Sequence, residues 1–364
     1  MSFTVTFSRV VENGPGMQKI GKIADQGYTD RELKQAQQAF KNKLGKREDH
    51  VNLVDLNAVL PVGAPRQVDA SVLVVHGACQ RIFRVSPTLV RNELIGLKWD
   101  RRKLMRGCVK NCQARINLCF SDNAQEPDIV NGLGTVISWD NVPNLKRLRD
   151  QLVTYLGVKA ENLHAEGNYY HNEQSGIGFH GDAERKIVIA IRFGAPLRLH
   201  YQAYLNSDPI GDRLTIDTLQ EGDLYVMGDK ATGNDWRKKT IITFRHAAER
   251  FHGKKAKYCR SLTDIKEARV RKRKRTENKM EANQKTVPLE KKTETAKKLH
   301  DGATVIIKGR VGKLCRLATR IKRQQAIYYL EEYPNTVVRR RDVRTALTEL
   351  PGSAAVDDSF PIDR

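Results

Sequence analysis

The chain has 364 residues, 40% of them apolar and 29% charged, and a net charge of +22 at pH 7. Length and apolar share exclude a wholly disordered chain and leave room for two domains. Residues 250 to 345 carry 29 Lys and Arg against 10 Asp and Glu, a segregated basic block that implies a polyanionic partner, nucleic acid before an anionic membrane.

The first residues, Met-Ser-Phe-Thr-Val-Thr-Phe, show no basic region followed by an apolar run. No stretch approaches the roughly 18 consecutive apolar residues of a membrane span, so no membrane association is expected and the expected location is intracellular. Residues 1–80 read as an α/β lead-in without evident chemistry. Ser2 to Val10 alternates as a strand, and Thr29-Asp30-Arg31-Glu32 is a capping box that opens a helix to about Leu44. Short strands are predicted at Val51–Leu56 and Ser71–Val75.

A helix begins at Ser86-Pro87 and frays into Trp99–Arg106, and a strand follows at Ala114–Phe120. Cys108 and Cys112 are four apart, which suits no CxxC site, and six cysteines without paired spacing predict no disulfide. Asn144–Leu156 places Leu145, Leu148, Leu152 and Tyr155 on one stripe, with Lys146, Arg147 and Arg149 read as its wet face. Seven strands then follow at about ten-residue intervals: Leu163–Tyr170, Ile177–Asp182, Lys186–Phe193, Leu197–Tyr204, Arg213–Leu219, Asp223–Met227 and Lys239–Arg245. Such spacing predicts a barrel or sandwich, with the earlier helices covering one face.

Residues 253–298 are rich in Lys, Arg and Glu and poor in large apolar residues, which predicts a basic helical or disordered linker. Its cluster Arg269, Arg271, Lys272, Arg273, Lys274, Arg275 would serve as a nuclear address in a eukaryotic host. Residues 299–350 return to short strands and resemble a small SH3-like or KOW-type barrel, and 351–364 form a loose tail.

The chemistry gathers at residues 168–182. His180-Gly181-Asp182 puts an imidazole and a carboxylate on one face of a strand, two of the three groups of a facial triad for non-haem Fe(II). Around it stand Asn168-x-Tyr170, an apolar strand ending Phe193-Gly194, Gly222-Asp223-Leu224 and Thr243-Phe244-Arg245. In this order the pieces, about a quarter of the chain, resemble the AlkB-like branch of the Fe(II)/2-oxoglutarate-dependent dioxygenases.

The resemblance implies an α+β fold over residues 81–252: a double-stranded β-helix (jelly-roll) core with covering helices, followed by the basic linker and the small C-terminal β-barrel. It implies Fe(II) on His180 and Asp182, and 2-oxoglutarate on Asn168, Tyr170, Arg245 and Lys239, where Lys239 replaces the family's distal arginine. Glu184 falls where the family tends to contact the substrate base. The family's third iron ligand, a histidine between Gly222-Asp223 and the Arg245 strand, has no counterpart, because no histidine lies between residues 201 and 245. Three readings stay open: His246, which alternation puts opposite Arg245; Asp235 as an oxygen donor; or an incomplete site. The implied activity is oxidative demethylation or hydroxylation of a base in DNA or RNA. The alternative is a non-catalytic nucleic-acid-binding protein on a dioxygenase scaffold.

Overall fold

The computed structural model describes residues 1–248 except 15 and 173–174, together with four strands between residues 304 and 345. Contacts divide the chain into two units, Met1–Val270 and Arg271–Arg364.

The first unit opens with β1 (Ser2–Ser8), β2 (Val10–Glu12), β3 (Lys19–Gly21), α1 (Asp30–Leu44), β4 (Val51–Asp55) and β5 (Ser71–Val75). There follow the short α2 (Ala78–Arg81), α3 (Pro87–Gly96), β6 (Arg102–Met105), β7 (Cys108–Asn111), β8 (Ile116–Ser121), β9 (Val136–Ser138) and α4 (Pro143–Leu156). The rest is strand: β10 (His164–Tyr170), β11 (Ile177–His180), β12 (Val188–Gly194), β13 (Leu197–Leu205), β14 (Asp208–Leu219), β15 (Leu224–Met227) and β16 (Ile242–Ala248). The fold is α+β and rich in sheet.

Two sheets face one another. The larger runs β4-β5-β15-β12-β1-β10-β8-β9, and the smaller runs β11-β16-β13-β14. Helices cover the outer face of the large sheet. Leu33 and Phe40 of α1 and Leu145, Leu148 and Leu152 of α4 pack with Phe3, Val5 and Phe7 of β1 and Ile189 and Ile191 of β12. Each such side chain, fully buried, stabilises the fold by about 1.5–3 kcal/mol. The inner face of the large sheet, with Val72, Val74, Val188 and Ala190, meets Tyr201, Ala203 and Phe244 of the small sheet. The alternation of β12 therefore feeds two different cores, one above the sheet and one below.

The capping box of α1 forms as the sequence implies. Thr29 N donates to Glu32 Oε2 at 2.8 Å, and Glu32 N donates to Thr29 Oγ1 at 3.2 Å. On α4 the wet face is smaller than expected. Arg149 is buried and lies over the Trp139 ring, 4.8 Å from its centroid, because the aliphatic stem of an arginine can pack like an apolar side chain.

No boundary falls at residue 80. β1 lies between β10 and β12, pairing Thr4 with Asn168 on one side and with Arg192 on the other. The supposed lead-in is thus a central strand of the core. Its apolar residues turn to the helices, while Thr4 and Thr6 look into the space between the sheets.

In the second unit β17 (Thr304–Ile307), β18 (Arg310–Arg320), β19 (Gln325–Leu330) and β20 (Val343–Thr345) form an antiparallel sheet in the order β19-β18-β17-β20. The described strands do not close into a barrel. The expected linker at 253–298, with its basic cluster, and the tail at 351–364 lie outside the described residues. Among the described residues no helix is long and apolar enough to cross a membrane. Cys79, Cys108, Cys112 and Cys119 are free thiols.

Candidate metal centre

His180 ends β11 and Asp182 follows two residues later, as their spacing requires for one face. The small sheet then brings in His246, which pairs with His180 across β11 and β16. Nε2 of His180 lies 3.5 Å from Asp182 Oδ1, and Nε2 of His246 lies 3.8 Å from the same oxygen. The three ligand atoms fall within 4.8 Å of one another, so the group could hold a metal ion. The His180 Nδ1 sits 2.8 Å from the Gly178 carbonyl oxygen. Donation to that carbonyl fixes the ring and leaves Nε2 as the free lone pair, the usual arrangement behind a metal-binding imidazole.

Gly181 explains why the motif tolerates no side chain between its ligands. A Cβ there would lie 2.2 Å from the Gly233 carbonyl oxygen and 2.7 Å from Trp236 Cβ. That contact presses the 229–236 turn onto the motif, and Asp182 N donates to Thr232 O at 3.0 Å. The carboxylate is thereby held from its own backbone.

Electrostatics sets the protonation states a metal needs. Burial pushes the His180 imidazole below its ordinary pKa, and burial followed by the neighbouring His180 pushes His246 down to about 3. Burial alone would raise Asp182, but Arg185, then His246 and His180, hold it below the usual carboxylate range. Two neutral imidazoles and one carboxylate are the deprotonated donors a divalent cation binds.

The cluster opens on a cavity of about 660 Å³ between the sheets. Asn168 and Tyr170 of β10 line it, as does Glu184. The Asn168 amide oxygen accepts from Asn117 Nδ2 at 2.7 Å and from Arg115 Nε.

Two expected cosubstrate residues are elsewhere. Lys239 is exposed in a bend before β16, which starts at Ile242 and not at Lys239. Arg245 precedes His246 on β16, so alternation sends it to the opposite face, where its guanidinium lies 4.0 Å from the Tyr204 ring centroid and 5.1 Å from that of Trp236. Neither lines the cavity. Asp235 is not part of the metal group either, since its Oδ2 pairs with Lys230 Nζ at 2.6 Å. His200 and His164 are held by Thr215 and Ser121, as structural histidines are.

Several site residues had no sequence signal. Thr4, Thr6, Glu12, Arg115, Glu166, Arg185 and Tyr225 all line the cavity. Arg185 Nη2 reaches Glu166 Oε2 at 2.5 Å and is the main cation beside Asp182. Behind the Thr4 and Tyr170 wall lies Arg192, only 1% exposed, donating to the hydroxyls of Thr4 and Ser2 and to Ala195 O at 3.2 Å. Among the described residues no carboxylate pairs with it.

Glu12 is a further strained group. Burial, then Glu184 and Glu166, push its carboxyl up to about 7. The folded chain therefore holds this proton more tightly than the unfolded one, so stability falls as pH rises through the window from about 4.5 to 7. Glu12→Gln should stabilise the protein by about 1–3 kcal/mol near pH 8 and change little near pH 4. Thermal melts at the two pH values check this, and equal shifts at both would refute it.

No family model matches the chain. A protein of Acanthamoeba polyphaga mimivirus, named Uncharacterized protein R156, is 38% identical over 248 residues, which is 68% of this chain and 94% of the viral one. The chain belongs to the family of that protein. Nearly the whole length of the R156 protein is thus matched within this chain, and 32% of this chain lies beyond the match.

Proposed function

We propose that the protein is an Fe(II)/2-oxoglutarate-dependent dioxygenase of the AlkB-like kind, acting on a base in nucleic acid. The observation that carries this reading is the convergence of His180 at the end of β11, Asp182 just after it and His246 of β16 on a cavity that also holds Asn168 and Tyr170. The strand order fits a double-stranded β-helix. Four strands, β15-β12-β1-β10, face four others, β11-β16-β13-β14, which is the eight-strand, two-sheet plan of a jelly roll. In this reading β1 occupies the core position between β10 and β12, so an N-terminal strand completes a core otherwise built from residues 164–248.

Bound Fe(II) and 2-oxoglutarate would supply oxidation of a substrate carbon by O2, with succinate and CO2 as coproducts. The chain's own residues bind and orient. His180, Asp182 and His246 would hold the ion at the cavity wall through two imidazole nitrogens and a carboxylate oxygen. Asn168 and Tyr170 offer hydrogen bonds to a dicarboxylate. The cations that neutralise it are Arg115, beside Asn168, and Arg192, behind Thr4 and Tyr170, in place of Lys239 and Arg245. The non-catalytic alternative rests on the absent family histidine and on Lys239 in place of an arginine, and the position of His246 counts against the first of these. The small C-terminal sheet and the basic block would add phosphate contacts.

The test uses purified full-length protein with Fe(II), 2-oxoglutarate and O2. Succinate should form, and more quickly with N-methylated oligonucleotides, which should release formaldehyde. Asp182→Ala should abolish both. Absence of succinate with every methylated DNA and RNA offered would sink the reading.

A further inference from the structure

The β6–β7 hairpin is built against its own stability. Residues 98–115 carry seven Lys and Arg and a single acid, Asp100, whose carboxylate is taken up by Thr135. In the ribbon Lys103 stands directly opposite Lys110. Like charges facing across a strand pair are destabilising, and an isolated two-stranded ribbon is marginal to begin with. Among the described residues no carboxylate forms an ion pair with Arg101, Arg102, Lys103, Arg106 or Lys110. The turn shows the same preference for charge over comfort. Arg106 and Gly107 connect the strands with φ of 51° and 75°, a two-residue turn that favours Asn-Gly. An arginine in the left-handed region costs backbone energy that asparagine or glycine would avoid.

The ribbon also stands at the mouth of the cavity. Lys103 lines it, next to Gly14, where an added Cβ would meet Lys103 Cδ at 3.2 Å. Lys110, as the cross-strand partner of Lys103, shares that face. The tip and the second strand are solvent-exposed throughout. Farther in, the walls carry both signs: Glu12, Glu166 and Glu184 stand with Arg115 and Arg185, and Arg185 pairs with Glu166 and Glu184. A rim of unpaired cations outside a polar interior in which the charges are paired matches a nucleotide, with anionic phosphates outside and a base within.

We infer that the β6–β7 ribbon grips the phosphodiester backbone of the strand whose base enters the cavity. This rests on the nucleic-acid half of the proposed function and not on its oxidation chemistry. The ribbon is thus a polyphosphate-binding element within the first unit, independent of the basic block that follows it.

The experiment measures binding of the full-length chain to labelled single-stranded and duplex oligonucleotides by fluorescence anisotropy over a range of salt. In the variant Arg101→Gln/Arg102→Gln/Arg106→Gln/Lys110→Gln the affinity at low salt should fall at least about tenfold, and the slope of log K against log salt should become shallower by about 3, the share of four lost phosphate contacts. Lys110→Glu, which gives Lys103 an opposite charge, should keep or raise the thermal midpoint while weakening binding. An unchanged slope in the quadruple variant overturns the inference. So does a lowered midpoint in Lys110→Glu, which would make the lysine structural, or binding of polyglutamate as tight as of the oligonucleotide. His180→Ala should retain the wild-type slope, so the grip and the oxidation reading can fail separately.

Discussion

Replacing His246 by alanine is expected to take bound Fe(II) from about one ion per chain to none detectable, an affinity loss of at least about 100-fold. Asp235→Ala and Lys239→Ala should leave the ion in place. The contrast discriminates between the candidates the sequence leaves open, and it follows from geometry. His246 brings Nε2 within 3.8 Å of the Asp182 oxygen, while Asp235 is committed to Lys230 at 2.6 Å. Elemental analysis of metal-loaded, desalted protein is the readout, with Co(II) as an air-stable spectroscopic substitute. If His246→Ala retains a full equivalent of metal, the third ligand is elsewhere and the centre as described is wrong. Loss of metal with an unaltered far-UV spectrum would separate loss of a ligand from loss of the fold.

The difference between what was legible and what was not is local against non-local. Asn168-x-Tyr170 is readable because period-two alternation within β10 fixes a shared face without knowledge of any partner; His180-Gly181-Asp182 is readable as a spacing, although β11 ends at His180 and Asp182 N is held by Thr232 O. The capping box at Thr29 is local in the same way. His246 lies far along the chain and reaches the site only through the pairing of β16 with β11, which no periodicity encodes. Alternation sets it opposite Arg245, but does not say which of the two faces the cavity takes. β1 shows the same limit on a larger scale. Its alternation of Phe3, Val5 and Phe7 with Thr4 and Thr6 is plain, but its insertion between β10 and β12 depends on contacts with strands more than a hundred residues away. The sequence reads a helix fraying into Trp99–Arg106 where the structure has the β6–β7 ribbon, because two short cross-strand pairs, Leu104 with Val109 and Met105 with Cys108, leave no hydrophobic period to read.

Arg192 carries the second large expectation. A guanidinium that is 1% exposed and is held, among the described residues, by two hydroxyls and a carbonyl and by no carboxylate is costly to bury. Burial also holds its pKa below the usual arginine value, with Tyr170, Tyr225 and Asp223 acting the other way. Among the described residues its Nε finds no acceptor. Such a group is balanced when an anion arrives in front of it, and Tyr170, whose ring centroid lies 5.9 Å from the guanidinium carbon, stands between it and the cavity. Arg192→Met is therefore expected to raise the KM for 2-oxoglutarate by about 30-fold or more, the effect of removing one partner of a buried charge pair, while leaving metal content at one per chain. The ligand-free variant should melt no lower than the wild type, since an apolar side chain of similar length replaces an unpaired charge. In the wild type 2-oxoglutarate should raise the melting temperature through linkage, and in the variant it should not. A variant that still responds to 2-oxoglutarate with the wild-type shift would remove Arg192 from the site. The cation that neutralises the dicarboxylate would then be Arg115, the arginine on the cavity wall beside Asn168.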